Sequence, residues 1–231
     1  MNNIAIWDQV FKENEWGKYP STPVIRFIAR NFYGEKNRGK IKILEVGSGV
    51  GANLWFCARE GFSVIALEGS EIAVNRMTKR FEDEGLLHTL IDTKVGDYFN
   101  TLDEIEDESI DAIIDVESLY CNSFIRTKEV IEKCFEKLKP NGVMLSLTFA
   151  DKSWGFTGGE CDYHAVFPED GPMSGKGFSR YTTKNDIEKL YKLNDNKIER
   201  IEKQEYYYNQ NNVIKEWIIE IKKLSVKEGR I

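Results

Sequence analysis

The chain has 231 residues, with 32 Lys plus Arg against 38 Asp plus Glu, a net charge of −6 with both histidines neutral. At 41% hydrophobic and 12% aromatic it carries enough apolar material for a core, which excludes global disorder. The acidic balance weighs against a nucleic-acid partner. No apolar run approaches the ~20 residues of a membrane helix, and the charged N-terminus lacks a signal-peptide apolar region.

A soluble, cytoplasmic protein is therefore expected. Cys57, Cys121, Cys134 and Cys161 agree: they are dispersed, with no Cys-x-x-Cys and no histidine pair at ligand spacing, so free thiols and no metal site are expected.

Residues 3–14 read as a helix. Ser21 or Thr22 then offers a cap with Pro23 in the first turn, and Val24, Phe27, Ile28 and Phe32 follow at helical spacing toward Gly34. After a loop at 36–40 the pattern changes to a strand at 41–46, a glycine turn at 47–51, a helix at 52–60 and a strand at 63–67. A helix at 71–84 sets Ala73, Met77 and Phe81 on one side. A weak strand at 93–95, a strong strand at 110–116, a helix at 127–138, a turn at 139–142 and a strand at 143–149 follow. Strands that alternate with helices predict a parallel sheet covered on both faces.

The last third differs. Residues 150–181 read as an irregular loop rich in glycine and aromatics. A helix capped by Thr183, with Asp186 three positions on, precedes two strand-like runs at 197–208 and 213–224. Asn209-Gln210-Asn211-Asn212 joins them, and without an intervening helix they predict an antiparallel hairpin.

The turn Gly47-Ser48-Gly49-Val50-Gly51 lets a ligand approach the backbone at the start of a helix. Gly47-x-Gly49-x-x-Ala52 satisfies the loose dinucleotide fingerprint, and Glu68 ends the second strand where ribose hydroxyls are bound, so NAD or FAD fits as well. Glu45 separates the readings. A carboxylate beside the turn opposes a pyrophosphate but suits an ammonium and a sulfonium. That favours S-adenosylmethionine.

Glu45-Val46-Gly47-Ser48-Gly49-Val50-Gly51 and Glu68 resemble the first two motifs of class I S-adenosylmethionine-dependent methyltransferases. Gly96-Asp97, Asp111-Ala112-Ile113-Ile114-Asp115 and Leu138-Lys139-Pro140-Asn141-Gly142-Val143 continue the likeness, which covers about residues 41–151 in motif detail. Residues 53–62 are similar to a bacterial small-molecule subgroup.

The resemblance implies an α/β, Rossmann-like, seven-stranded, mostly parallel sheet with helices on both faces, ending in an antiparallel hairpin, with an N-terminal helical cap. The length fits one domain over 1–231, read as a cap (1–40), a cofactor core (41–151), an active-site loop (152–182) and a C-terminal helix and hairpin (183–231). Gly47, Ser48, Gly49 and Gly51 would underlie the methionine and ribose, with Glu45 near the amino group. Glu68, with Gly69 and Ser70 beside it, would hold the ribose hydroxyls, although the family more often has Asp there. Asp97 and Tyr98 would meet the adenine, and Asp115 would face the methyl donor.

Methyl transfer from a sulfonium is an in-line displacement that depends on positioning, and a base is needed only for a protonated acceptor. Asp115 and Glu117 share a face of one strand and serve either a cationic or hydroxylated acceptor or, for Asp115, a structural role. His164 is the candidate general base. Trp16, Tyr19, Tyr120 and Trp154 are candidates for the acceptor pocket, and Arg180 and Tyr181 for clamping an anionic group.

No Asn/Asp-Pro-Pro-aromatic signature of nucleic-acid amino-methylation is present. The expected activity is methyl transfer to an O or N atom of a small molecule, such as a saccharide precursor or other metabolite, by a monomer or homodimer. A non-catalytic S-adenosylmethionine-binding module and an NAD(P)-dependent oxidoreductase are the alternatives.

Overall fold

A computed structural model describes residues 3–15, 17–157 and 159–225. Its strands are β1 (Lys42–Val46), β2 (Ser63–Glu68), β3 (Leu90–Val95), β4 (Ile110–Val116), β5 (Leu138–Phe149), β6 (Ala165–Val166), β7 (Ser179–Arg180), β8 (Asn196–Tyr208) and β9 (Asn212–Lys223). Seven of them form one sheet in the order β3-β2-β1-β4-β5-β9-β8. β1 to β5 pair in parallel, β9 runs antiparallel to β5, and β8 closes the hairpin on β9. The order reverses between β2-β1 and β4, so the crevice at the carboxyl ends of these strands is where such a sheet binds ligands.

The helices are α1 (Ile4–Glu13), α2 (Thr22–Phe32), α3 (Ala52–Arg59), α4 (Glu71–Asp83), α5 (Tyr98–Thr101), α6 (Phe124–Lys137) and α7 (Lys184–Tyr191). Val24, Phe27 and Ile28 of α2, Leu54 of α3 and Met77 and Phe81 of α4 pack with Ile43, Val64, Ile114 and Leu145 on one face of the sheet. Val130, Ile131 and Cys134 of α6 and Ile187, Leu190 and Tyr191 of α7 pack with Leu44, Ile65, Ile113 and Ile219 on the other. Alternate residues of each strand thus serve opposite cores. That is why β1, β2 and β4 read as nearly continuous apolar runs.

Several boundaries shift from the sequence reading, each for a local reason. α6 starts at Phe124 because Ser123 accepts a hydrogen bond from the Arg126 N–H at 3.3 Å. β3 begins at Leu90, which pairs with Val64, instead of at residue 93. The predicted turn at 139–142 is taken into β5 across an irregular register: Leu138 pairs with Ile110, Val143 with Ala112, and Asn141 takes φ +66° between them. The predicted loop at 36–40 ends in a single 3₁₀ turn, Arg38–Lys40.

The hairpin turn uses Asn209 and Gln210 at φ +45° and +65°, the left-handed pair that matches the twist of two antiparallel strands. Within the long loop, β6 and β7 form a short antiparallel ladder, and Ala150 bridges to Thr182. Among the described residues, no helix is long and apolar enough to cross a membrane.

The capping box of α7 is fully formed. Thr183 Oγ1 accepts from the Asp186 N–H, and the Asp186 carboxylate accepts from the Thr183 N–H. Replacing Thr183 by Ala removes that cap, and urea unfolding should show a loss of about 1 kcal/mol with an unchanged slope.

Candidate active site

The carboxyl ends of β1, β2 and β4 open into a cavity of about 630 Å³. Its floor is the glycine turn after β1. The Gly47 and Ser48 N–H groups both donate to the Leu67 carbonyl at 2.8 and 3.2 Å, which lashes the turn to β2. Gly47 stands at φ +68°, and a Cβ there would lie 1.9 Å from Ser118 Oγ. Only glycine lets the turn pass beneath the loop after β4. Gly51, at φ +75°, starts α3 against α4, where a Cβ would meet Met77 Cγ at 2.4 Å. It therefore lies behind the wall and serves packing.

Glu68 ends β2 with both carboxylate oxygens on backbone amides: Oε2 accepts from the Gly49 N–H at 2.7 Å and Oε1 from the Ser70 N–H at 2.8 Å. Burial raises its pKa, and the amides of Ser70, Gly49 and Gly69 oppose that rise. Gly69 lies on the cavity wall, closely packed against Ile4, whereas Ser70 is wholly buried behind it. Ser70 caps α4 and donates to the Asp8 carboxylate, which ties α1 to the sheet.

Glu45 is 2% exposed. Its Oε1 accepts from Asn53 Nδ2 at 2.7 Å, while Oε2 has no hydrogen-bond partner. Burial, opposed by the Asn53 hydrogen bond and reinforced by the Glu68 and Asp115 charges, pushes its pKa up to about 8. Ser48 Oγ, on the same wall, is also buried without a partner. Two polar atoms of cavity-lining residues are thus withdrawn from water without a partner, an arrangement that costs free energy unless a ligand satisfies them.

Asp97 and Tyr98 flank the cavity mouth. Asp97 caps α5 through the Phe99 N–H and pairs with Arg126 at 3.0 Å. The Tyr98 hydroxyl accepts from Asn122 at 2.5 Å and faces the Ser118 carbonyl at 3.4 Å; burial drives its pKa upward. Glu117 and Tyr120 line the far side, and Tyr19 stands near the α2 end. Trp16 lies outside the described residues.

The remaining candidates are not on the wall. Asp115 has no exposed surface and accepts from the Ser118 N–H, the Leu119 N–H and Ser146 Oγ, so it braces the turn that carries Glu117 to Tyr120. Burial, offset by those three hydrogen bonds, leaves its pKa at about 6. His164 is turned away from the cavity: its Nδ1 meets Asp186 Oδ2 at 2.8 Å and its ring stacks on Tyr163. It pins the long loop to the α7 cap.

Arg180 is buried on the Thr182 and Thr127 hydroxyls, its Nε lacks a hydrogen-bond partner, and among the described residues no carboxylate forms an ion pair with it. Tyr181 packs its ring on Phe149 and Phe156. The Trp154 indole donates to Asp170 and packs on Tyr208.

The sequence reading missed much of the roof. Trp7 and Phe11, four apart on α1, line the cavity from above, together with Met173 and Phe178 of the long loop. Asn3 donates to the Phe178 carbonyl at 3.2 Å, so the two roof segments close on each other. Their spacing on an amphipathic helix was visible, but not which face of the sheet they cover. Asn53 was readable only as a first-turn helical residue.

Residues 43–142 match the family described as methyltransferase domain. No curated protein matches the chain in sequence. Among solved structures, the chain resembles one reported for conversion of a disulfide bond into a thioacetal group during echinomycin biosynthesis, at 14% identity and TM-score 0.70, covering 98% of this chain and 95% of that one. It also resembles an S-adenosylmethionine-dependent methyltransferase from Methanosarcina mazei, at 19% identity and TM-score 0.63, covering 79% and 92%. A third is Burkholderia thailandensis 1,6-didemethyltoxoflavin-N1-methyltransferase with bound 1,6-didemethyltoxoflavin and S-adenosylhomocysteine, at 11% identity and TM-score 0.65, covering 96% and 88%.

Two outcomes follow from the geometry. Gly47→Ala introduces a clash with Ser118 and a strained left-handed residue, and thermal unfolding should show a clear fall in Tm. A Tm equal to that of the parent would contradict the close approach. For Glu45 the sign is set by its raised pKa: as pH rises from the ordinary 4.5 toward about 8, the unfolded chain has lost a proton that the folded state still holds. Stability then declines with rising pH through that window. The decline in Tm should be shallower in Glu45→Gln than in the parent.

Proposed function

We propose that this chain is a class I S-adenosylmethionine-dependent methyltransferase, a reading supported by the match of residues 43–142 to a methyltransferase domain and by the shared fold, and that it methylates an oxygen or nitrogen of a small molecule held in the cavity over the glycine turn. The observation that carries this reading is the buried, unpartnered Glu45 Oε2 on the wall that also holds the glycine turn and Glu68. These residues fit the cofactor. Glu45 would take its ammonium group, as a charge-assisted hydrogen bond in a dry site. The narrow turn at Gly47 and Gly49 would leave room for its methionine and ribose.

Glu68 Oε2 accepts from the Gly49 amide and Oε1 from the Ser70 amide, and the carboxylate so held would serve the two ribose hydroxyls. Asp97 and Tyr98 would border the adenine. When bound, S-adenosylmethionine supplies an electrophilic methyl group on a positively charged sulfur.

The chain's own contribution is positioning and exclusion of water. α1, with Trp7 and Phe11, and the Met173–Phe178 segment cover the cavity, so an acceptor inside is held against the methyl donor with few competing waters. The cavity is of small-molecule size. The didemethyltoxoflavin N1-methyltransferase, which binds a small molecule on the same fold, supports that scale. The reading extends to one domain over 1–231 and a cytoplasmic setting, in keeping with four unpaired cysteines.

Calorimetry with S-adenosylmethionine, followed by a labelled-methyl screen of small-molecule acceptors, tests the proposal. Binding with turnover on at least one acceptor is expected. Binding without turnover on any acceptor would favour a non-catalytic binding module, and binding of NAD(P)H in place of S-adenosylmethionine would favour an oxidoreductase. Glu45→Gln should weaken S-adenosylmethionine binding about tenfold or more, the scale of one buried charged hydrogen bond. An unchanged Kd would remove Glu45 from the cofactor site.

A further inference from the structure

β8 ends the sheet order, and among the described residues no strand pairs with its outer edge. An edge strand presents unpaired N–H and C=O groups, a template to which a further strand can add. Arg200 to Tyr208 pair one for one with Glu220 to Asn212 of β9, so this part of β8 is regular. It is bounded by the register shift at Glu199 and by the turn at Asn209. Ile201, Lys203, Glu205 and Tyr207 therefore stand on one face, and Arg200, Glu202, Gln204, Tyr206 and Tyr208 on the other.

The end of this run is aromatic and open to solvent. Tyr206, Tyr207 and Tyr208 are 50%, 68% and 50% exposed, and because they are consecutive they present rings on both faces of the strand. Tyrosine is among the residue types that interfaces concentrate, since it offers a large ring with a polar tip. The charges beside the rings pair only along the strand and its neighbour: Arg200 with Glu202 at 3.1 Å and Glu220 at 3.9 Å, and Lys203 with Glu205 at 3.6 Å. Exposed pairs of this kind contribute little, so the same charges are free to take partners across an interface.

Charge on an edge strand ordinarily deters pairing, but this run is complementary to its own reverse. Residues opposed in an antiparallel ladder share a face of the sheet, so two copies related by a two-fold axis pair about a residue and not between two. Centred on Gln204, the ladder sets Lys203 against Glu205 of the second copy, Ile201 against its Tyr207, Glu202 against its Tyr206 and Arg200 against its Tyr208. Symmetry repeats each contact. The pairs are a salt bridge, an apolar contact, a carboxylate beside a phenol and a guanidinium beside a ring, and no like charges are opposed.

The neighbouring registers lack this match. Centring on Glu202, Lys203 or Glu205 sets a charge directly on its own copy. Centring on Ile201 draws the unpaired Glu199 into the ladder, and centring on Tyr206 runs into the turn at Asn209.

We propose that the chain forms a two-fold dimer by antiparallel pairing of β8 with β8 of a second copy about Gln204. The pairing joins two seven-stranded sheets into one. Strands of the second copy then run the opposite way, so the two cavities open in opposite directions. The dimer goes beyond the methyltransferase reading and stands or falls independently of it.

Sedimentation velocity of the full chain across micromolar concentrations should give the mass of a dimer. Lys203→Glu and Glu205→Lys each oppose like charges at both symmetric contacts, and each alone should weaken dimerisation about tenfold or more. An equimolar mixture of the two variants restores opposite charges at both contacts and should dimerise as the parent does, which no effect confined to one chain would produce. A parent that stays monomeric, a dimer indifferent to either reversal, or a mixture that stays monomeric overturns the proposal.

The register is read by cross-linking, independently of the charge variants. Gln204→Cys in a Cys161→Ser background, which removes the exposed native thiol, should be linked into dimers by a short bis-maleimide. Equivalent residues meet only at the centre of the ladder, so Tyr207→Cys in the same background should stay unlinked. No link at position 204, or equal linking at both positions, overturns the pairing about Gln204.

Discussion

The site depends on one carboxylate that never leaves the backbone. Glu68 spends an oxygen on the Gly49 N–H and another on the Ser70 N–H, so a single side chain spans the turn after β1 and the turn after β2. Charge-assisted bonds to amides in a buried setting are worth more than neutral ones, and here they hold two glycine-containing loops at a fixed separation. Because the Leu67 carbonyl takes both the Gly47 and Ser48 amides, the cavity floor is assembled before any ligand arrives. Pre-formed geometry of this kind is what an in-line displacement requires.

Around that floor the protein sorts its carboxyl groups by solvation. Asp115 sits under three hydrogen bonds and works as a brace, fixing the turn that presents Glu117, Ser118 and Tyr120. Glu45 sits one strand away with an oxygen left unpaired, and the difference is placement, since Glu45 lines the cavity and Asp115 does not. Residues of the same chemical type thus divide into scaffold and cavity-lining groups through position alone. The buried Arg180, surrounded by threonine hydroxyls near Asp115, belongs to the scaffold as well.

The two ends of the chain complete the enclosure from opposite directions. α1 lies across the glycine turn, with Phe11 3.4 Å from the position a Gly49 Cβ would take and Ile4 against Gly69, while Asp8 accepts from Ser70. The β8–β9 hairpin extends the sheet beyond β5. The long loop between β5 and α7 is held at its base, where His164 and Tyr163 bond to Asp186, and reaches over the cavity with Met173 and Phe178. Its aromatics divide accordingly: Trp154 and Tyr181 pack beneath, and Phe178 faces the site.

The sequence by itself determined what is local. Alternating apolar runs and helical periods set the parallel core, Thr183 and Asp186 announced a capping box, and the absence of a helix between residues 208 and 213 required a hairpin. The glycines and the acidic ends of β1 and β2 were legible because a turn at positive φ and a strand-end carboxylate have few other uses in this order. Only the tertiary structure decided which polar groups face the ligand. His164, Arg180 and Asp115 look available in sequence, but each is held away from the cavity wall by a bond to another segment: Asp186, Thr127 and Ser146, respectively. Side-chain chemistry is written residue by residue, whereas solvation and partnership are set by contacts between segments that the linear order does not encode.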